Sequence, residues 1–172
     1  DSEGLVDKLL SYEGIDIAMA RNEKGQIVIK SKRGTALLED KETGVIYTPL
    51  LNDPFGYNGI KDYLTYDEVL DLTFDTLYPD SLTQIVQIFK SARCGDIVIS
   101  AQTGYDLRRD FEIPEHKSSH GSLKSDHMHV PLIMNKKVPI SRIRTVDLFP
   151  TILNFLSLPC SNKIDGKKLD IY

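Results

Sequence analysis

Cysteine is scarce in this chain: Cys94 and Cys160 are the only two among 172 residues. Two thiols so far apart make no disulfide framework, so the fold must rest on a core rather than on staples. They read as buried or idle thiols, compatible with a reducing cytosol. Long apolar runs are missing too. No stretch approaches the roughly 18 uncharged apolar residues that a membrane-spanning helix needs. The polar start, Asp1-Ser2-Glu3-Gly4, has no apolar segment of the kind that directs secretion. The expectation is a cytoplasmic chain with no membrane partner. The start also lacks an initiator Met, which suggests a processed or downstream piece of a longer protein. There is no excess of positive charge: 21 Lys and Arg against 25 Asp and Glu leave a formal net charge of −4. That excludes a platform that holds nucleic acid by bulk charge.

What is present is an ordinary globular composition. Hydrophobic residues make up 41% of the chain, enough at this length to bury a core and to exclude wholesale disorder. In the first half, Leu5, Leu9 and Leu10 fall on one side of a short helix over 3–12. Apolar segments at 15–20, 26–30, 35–39 and 45–48 follow, punctuated by Gly25, Gly34 and Gly44. They predict a small antiparallel meander. The second half changes character. Thr65 with Glu68 three residues on is a capping box that starts a helix over 65–74. Leu82, Ile85, Val86, Ile88 and Phe89 make the apolar side of another over 81–92. Ile97-Val98-Ile99 is an unbroken apolar run, the pattern of a strand covered on both faces in a parallel sheet. Residues 130–134 read as a second such strand, neighbouring 97–100. A last helix over 145–158 tolerates Pro150 only in its first turn, which places its N-cap as late as Asp147. Residues 165–169 read as a terminal turn or edge strand. The expected architecture is α/β, with a β-rich cap or insertion over 1–64 and a C-terminal α/β part over 65–172.

Residues 102–129 form a long polar segment without a period, and a loop of that length inside a compact domain usually carries function. All four histidines lie in it: His116, His120, His127 and His129. Random placement would gather them so closely roughly once in five hundred sequences of this composition. Imidazole is the commonest metal ligand, and Asp106, Asp110, Glu112, Glu115 and Asp126 stand nearby as further ligands or supporting partners. Singly, each histidine is also an ordinary polar loop residue; the group is read as holding at least one metal or phosphate contact. His120 is the first choice. Ser118-Ser119-His120-Gly121-Ser122 surrounds it with small residues that let the backbone approach a ligand. His127 and His129 lead into the apolar run at 130 and are as well read as capping or packing against it. The polar stretch 117–125 buries little to offset its ordering entropy and is expected to be the least fixed part of the chain. Motifs of other chemistries are missing: no C-x-x-C, H-E-x-x-H, phosphate loop or G-x-G-x-x-G, and no G-x-S-x-G elbow. Lys136, Lys137, Arg142 and Arg144 form a mild basic cluster, read as a solvated connection.

Several segments, taken in order, resemble a known family. They are Ser119-His120-Gly121-Ser122, Met128-x-Val130-Pro131-Leu132-Ile133, Arg144-Thr145-Val146-Asp147-Leu148-Phe149-Pro150-Thr151-Ile152-Leu153 and Asp165-Gly166-Lys167. They look like the C-terminal signature of the alkaline phosphatase superfamily, in its type I phosphodiesterase and nucleotide pyrophosphatase branch. Arg93-x-Gly95-Asp96-Ile97-Val98 with Gly104-Tyr105-Asp106 resembles the strand that leads into it, so the likeness covers about residues 93–168. It implies a central sheet flanked by helices, of which this chain would be the C-terminal portion, carrying a small antiparallel meander. It implies a hydrolase acting on a phosphoester or nucleotide substrate by in-line phosphoryl transfer. In that family a metal-activated Thr or Ser attacks phosphorus, and two divalent metals, zinc by preference, stabilise the attacking and leaving oxygens. The family's last ligand histidine, in its His-Gly-Ser element, matches His120.

The remaining parts of the family's site have no counterpart. Its N-terminal Asp, its nucleophile and its other histidine ligands lie upstream, whereas every histidine here lies at or after 116, and Asp126-His127 stands out of order. The resemblance therefore implies a fragment with one metal-binding histidine and no nucleophile, inactive alone and holding no metal by itself. Its partner would be the missing N-terminal part of its own catalytic domain. Two other readings stay open: a stand-alone, non-catalytic binding module, and a self-contained metal site built from His116, His120 and His127.

Overall fold

The structure, a computed structural model, describes residues 2–60, 62–107, 120–135 and 142–170. The chain forms two compact units, Asp1–His129 and Val130–Tyr172. The first is α/β as expected: one six-stranded sheet with helices on both faces.

The meander forms where the alternation predicts it. Strands β1 (Ile15–Arg21), β2 (Ile27–Ser31), β3 (Thr35–Lys41) and β4 (Gly44–Leu51) pair consecutively and antiparallel. The β1–β2 turn is closed by Asn22, whose side-chain oxygen accepts from the backbone N–H of Lys24 and Gln26; short polar side chains favour such turns for this reason. A three-residue strand absent from the expectation, β5 (Tyr63–Thr65), adds to β4. Helix α1 (Ser2–Leu10) packs on β1 and β2, burying Val6 and Leu10 against Ala18 and Ala20. Helix α2 (Tyr66–Thr73) starts at the expected capping box. Thr65 Oγ1 accepts from Glu68 N, and Glu68 Oε2 accepts from Thr65 N at 2.9 Å. Helix α3 (Ser81–Lys90) follows and lays Leu82, Ile85, Val86 and Phe89 on the opposite sheet face. An aromatic group, Tyr47, Phe55, Tyr57 and Tyr78, completes that core, with Phe55 and Tyr57 stacked at 5.1 Å. Helix α3 lies on β3 and β4.

Strand β6 (Ile97–Ala101) corrects one expectation. It pairs antiparallel with β1 and closes the order β5-β4-β3-β2-β1-β6. Neither a parallel nor a mixed sheet forms among the described residues. Two-sided apolarity does not encode strand direction, and in β6 it does not bring full cover either. Here the cover comes from α1 on one side and α2–α3 on the other, and β1 is the strand that both sides bury. β6 is only half-covered, with Ile99 37% exposed.

In the second unit the expected strand over 130–134 is not formed. Residues 130–134 are irregular, and Ile133 is 92% exposed. A strand exists by pairing, and this unit holds no other strand among its described residues. Residues 165–169 are irregular for the same reason. The last helix is real but shorter than 145–158. A 3-10 turn, Thr145–Asp147, leads into α5 (Leu148–Phe155), whose N-cap is Asp147. Pro150 thus sits in the first turn, where its missing N–H costs nothing. A polar knot holds this unit. The buried Asp147 carboxylate accepts from the N–H of Arg144 at 3.0 Å and of Lys167 at 2.9 Å. Thr151 Oγ1 donates to Asp147 O and accepts from Leu169 N at 2.9 Å.

Candidate functional site

The described part of the histidine loop, residues 120–129, runs past the start of β1 and the end of β6. It opens at His120, which is exposed and makes no hydrogen bond to another described residue. Gly121 follows with φ +101°, a backbone conformation that a side chain strains. Beyond this turn the chain is held at every step. Ser122 is buried; its N–H donates to His127 Nδ1 at 3.2 Å, and its Oγ accepts from Lys124 N. Leu123 donates its N–H to Ser100 Oγ on β6, and its carbonyl accepts from Ser81 Oγ at the start of α3. Ser125 N–H donates to Leu77 O at 2.9 Å and begins a single helical turn, α4 (Ser125–Met128). His129 stacks its ring on Phe74, with centroids 4.6 Å apart. In this described part, Ser122 and Lys124 are buried and bonded, a cover that polarity alone did not suggest. Residues 117–119 lie outside the described residues.

The histidines divide by these contacts. His127, with Nδ1 accepting, carries its proton on Nε2 when neutral, and that lone pair serves the loop. His129 serves packing. His120 is the one whose imidazole is turned to no described partner. His116, with Asp110, Glu112 and Glu115, lies outside the described residues. Asp126 and Asp106 are exposed. Among the described residues, no three His, Cys, Asp or Glu side chains gather as a metal ion requires. For the zinc that the resemblance implies, His120 fits as one ligand. A catalytic zinc takes at least three from protein, and the described residues bring no such group together.

Beneath the loop lies a buried polar cluster that sequence reading missed. Asp16, its side chain 4% exposed, accepts from Tyr78 Oη at 2.7 Å and from Arg33 at 3.1 Å. The Arg33 guanidinium lies over the Tyr78 ring, 5.1 Å from its centroid. Burial, and next the bond to Asp16, push the Tyr78 phenol well above its ordinary range. Lys124, 8% exposed, donates to Gln102 Oε1 at 2.8 Å and lies 3.8 Å from Asp16 Oδ2. One local signal was available: Asp16 is a lone charge inside the apolar segment 15–20.

Comparison with protein families, with curated proteins and with solved structures finds no match for this chain. No described helix is long and apolar enough to cross a membrane.

Proposed function

We propose that this chain is the C-terminal part of a metal-dependent phosphohydrolase of the phosphodiesterase or nucleotide pyrophosphatase type, to which it contributes one metal ligand, His120. The observation that supports the reading is the division among the histidines. His127 and His129 are spent on the loop's own structure, whereas His120 stands exposed beside a glycine turn, its nitrogens bonded to no described residue. A divalent metal, zinc by the resemblance, would supply Lewis acidity toward a phosphoryl oxygen. This chain's part is to present an imidazole from a loop whose far side is tied to the sheet. The remaining ligands and the nucleophile belong to the proposed upstream part of the catalytic domain.

The test uses a longer protein that includes the reading frame upstream of Asp1. Zinc-dependent hydrolysis of bis(p-nitrophenyl) phosphate is expected, falling at least about 100-fold in His120→Ala, while His129→Ala stays close to the parent rate. An unchanged rate and zinc content in His120→Ala would sink the reading. So would sustained hydrolysis by the 172-residue chain alone that His120→Ala abolishes.

A further inference from the structure

We propose that Lys124 is the positioning residue of the His120 loop: its buried ammonium, held between Gln102 and Asp16, fixes where the loop crosses the ends of β1 and β6. Lysine is rarely buried unless it is paired, because removing an ammonium from water costs several kcal/mol before any partner is found. Here the side chain is 8% exposed, with Gln102 Oε1 at 2.8 Å and Asp16 Oδ2 at 3.8 Å. An apolar residue would anchor the loop without that cost. What the ammonium adds is direction, since it must lie against particular oxygens of Asp16 on β1 and of Gln102, the residue just past the end of β6. Asp16 is itself held by Arg33 at Oδ1 and by Tyr78 at Oδ2, the oxygen that Lys124 faces, so the anchor point has bonds of its own that do not come from the loop.

The backbone bonds on either side of Lys124 depend on that register. Leu123 N–H meets Ser100 Oγ, and Ser125 N–H meets Leu77 O. Ser122 closes onto His127 just before them. Gly121 is then the first turn outside the clamp, and His120 is the residue it carries. The purpose of the clamp rests on the reading of His120 as a ligand; the clamp itself does not.

Amide hydrogen exchange of the 172-residue chain tests it, with Lys124→Met compared to the parent. Leu123 and Ser125 are expected to lose about tenfold or more in protection, while Met19, Ile29 and Leu38 in the sheet stay within about twofold. A residue that merely added stability would lower protection in the sheet and the loop together. Protection at Leu123 and Ser125 within about twofold of the parent overturns the proposal, and so does an equal loss throughout the sheet. Should Lys124→Met fail to fold, Gln102→Leu decides, because it removes an acceptor and leaves the ammonium with Asp16. The same selective loss is expected there, and its absence overturns the proposal. A zinc titration followed at the side-chain nitrogens of His120 separates the two ideas. In the longer protein that carries the upstream part of the domain, zinc that leaves those signals unmoved removes the ligand reading, while the exchange data on the 172-residue chain still decide Lys124.

Discussion

The two compact units are put together in opposite ways. In the first, apolar side chains face inward: Ile17, Ile29, Leu38, Leu64 and Leu82 are fully enclosed between sheet and helices. In the second, the enclosed groups are few and mixed, Asp147 and Thr151 beside Pro150 and Leu169, while Phe149, Ile152, Phe155 and Leu156 are more than half exposed. Amphipathic patterning is present in both, so patterning by itself does not say that an apolar stripe is covered. The first unit gains its stability from area removed from water. The second gains its shape from a few directional bonds around one carboxylate.

The largest expected effect separates these sources. Leu38→Ala, in the middle of β3, should cost about 3–4 kcal/mol through lost transfer energy and the cavity left behind. It is read as a lower denaturant midpoint at unchanged slope. Parallel loss of amide protection at Lys167 and Leu169 would show the units unfolding as one and would dissolve the contrast.

Next comes Asp147→Ala, which strands the N–H groups of Arg144 and Lys167. A cost of about 2 kcal/mol is expected, confined to the second unit and visible as faster exchange at Lys167. Gly166 reinforces the point, since a Cβ there would lie 2.0 Å from Val146 O. Unchanged exchange at Lys167 would mean that the polar knot does not hold the unit.

Alkali should act on the first unit. Burial raises the phenols of Tyr47 and Tyr57 above their ordinary value; the Asp53 charge adds to the rise at Tyr47. Their stabilising contribution is complete below about pH 10. Above it the unfolded chain ionises first and binds fewer protons, so stability falls as pH rises. Each of the two should cost about 1.4 kcal/mol per pH unit. Unfolding midpoints at pH 9 and 11 measure this, and Tyr57→Phe should flatten the fall. The described part of the second unit contains no tyrosine, so its amides should show no such dependence.

The smallest effect is expected from Ile152→Ser on the exposed side of α5. A change within about 0.5 kcal/mol is expected, where the same truncation in α3 would cost several. A loss above about 2 kcal/mol would show that the stripe is covered after all.

The legible parts of the sequence were those whose cause is local. The hairpins follow from alternation and glycine punctuation, the start of α2 from Thr65 and Glu68, and the start of α5 from Pro150. Strand β5 was not legible, because three residues carry no period and Tyr63–Thr65 is extended only by its pairing with β4. The run at 97–99 was recognised as a strand, but its direction is set by β1, which no local pattern encodes. At the candidate site, the crowding of histidines pointed to the loop, and the small residues around His120 distinguished it. The cluster beneath was hidden because Asp16, Arg33, Tyr78 and Lys124 come from distant stretches of chain. Only the lone charge inside the apolar segment 15–20 hinted at it.

The pairing of β6 with β1 also carries a consequence for the time course of folding. The meander strands meet across short turns, whereas β6 must find β1 across about 75 residues of intervening chain. Closing so long a loop adds roughly 2–3 kcal/mol of entropy over a tight hairpin. The hairpins should therefore form early, and β6 should zip on late, after α3 has swung back across the sheet. Ser100, which β6 brings, is the acceptor that fastens Leu123. The His120 loop would then be among the last parts of this unit to acquire its place, and pulse-labelled exchange during refolding should protect Ile29 well before Leu123.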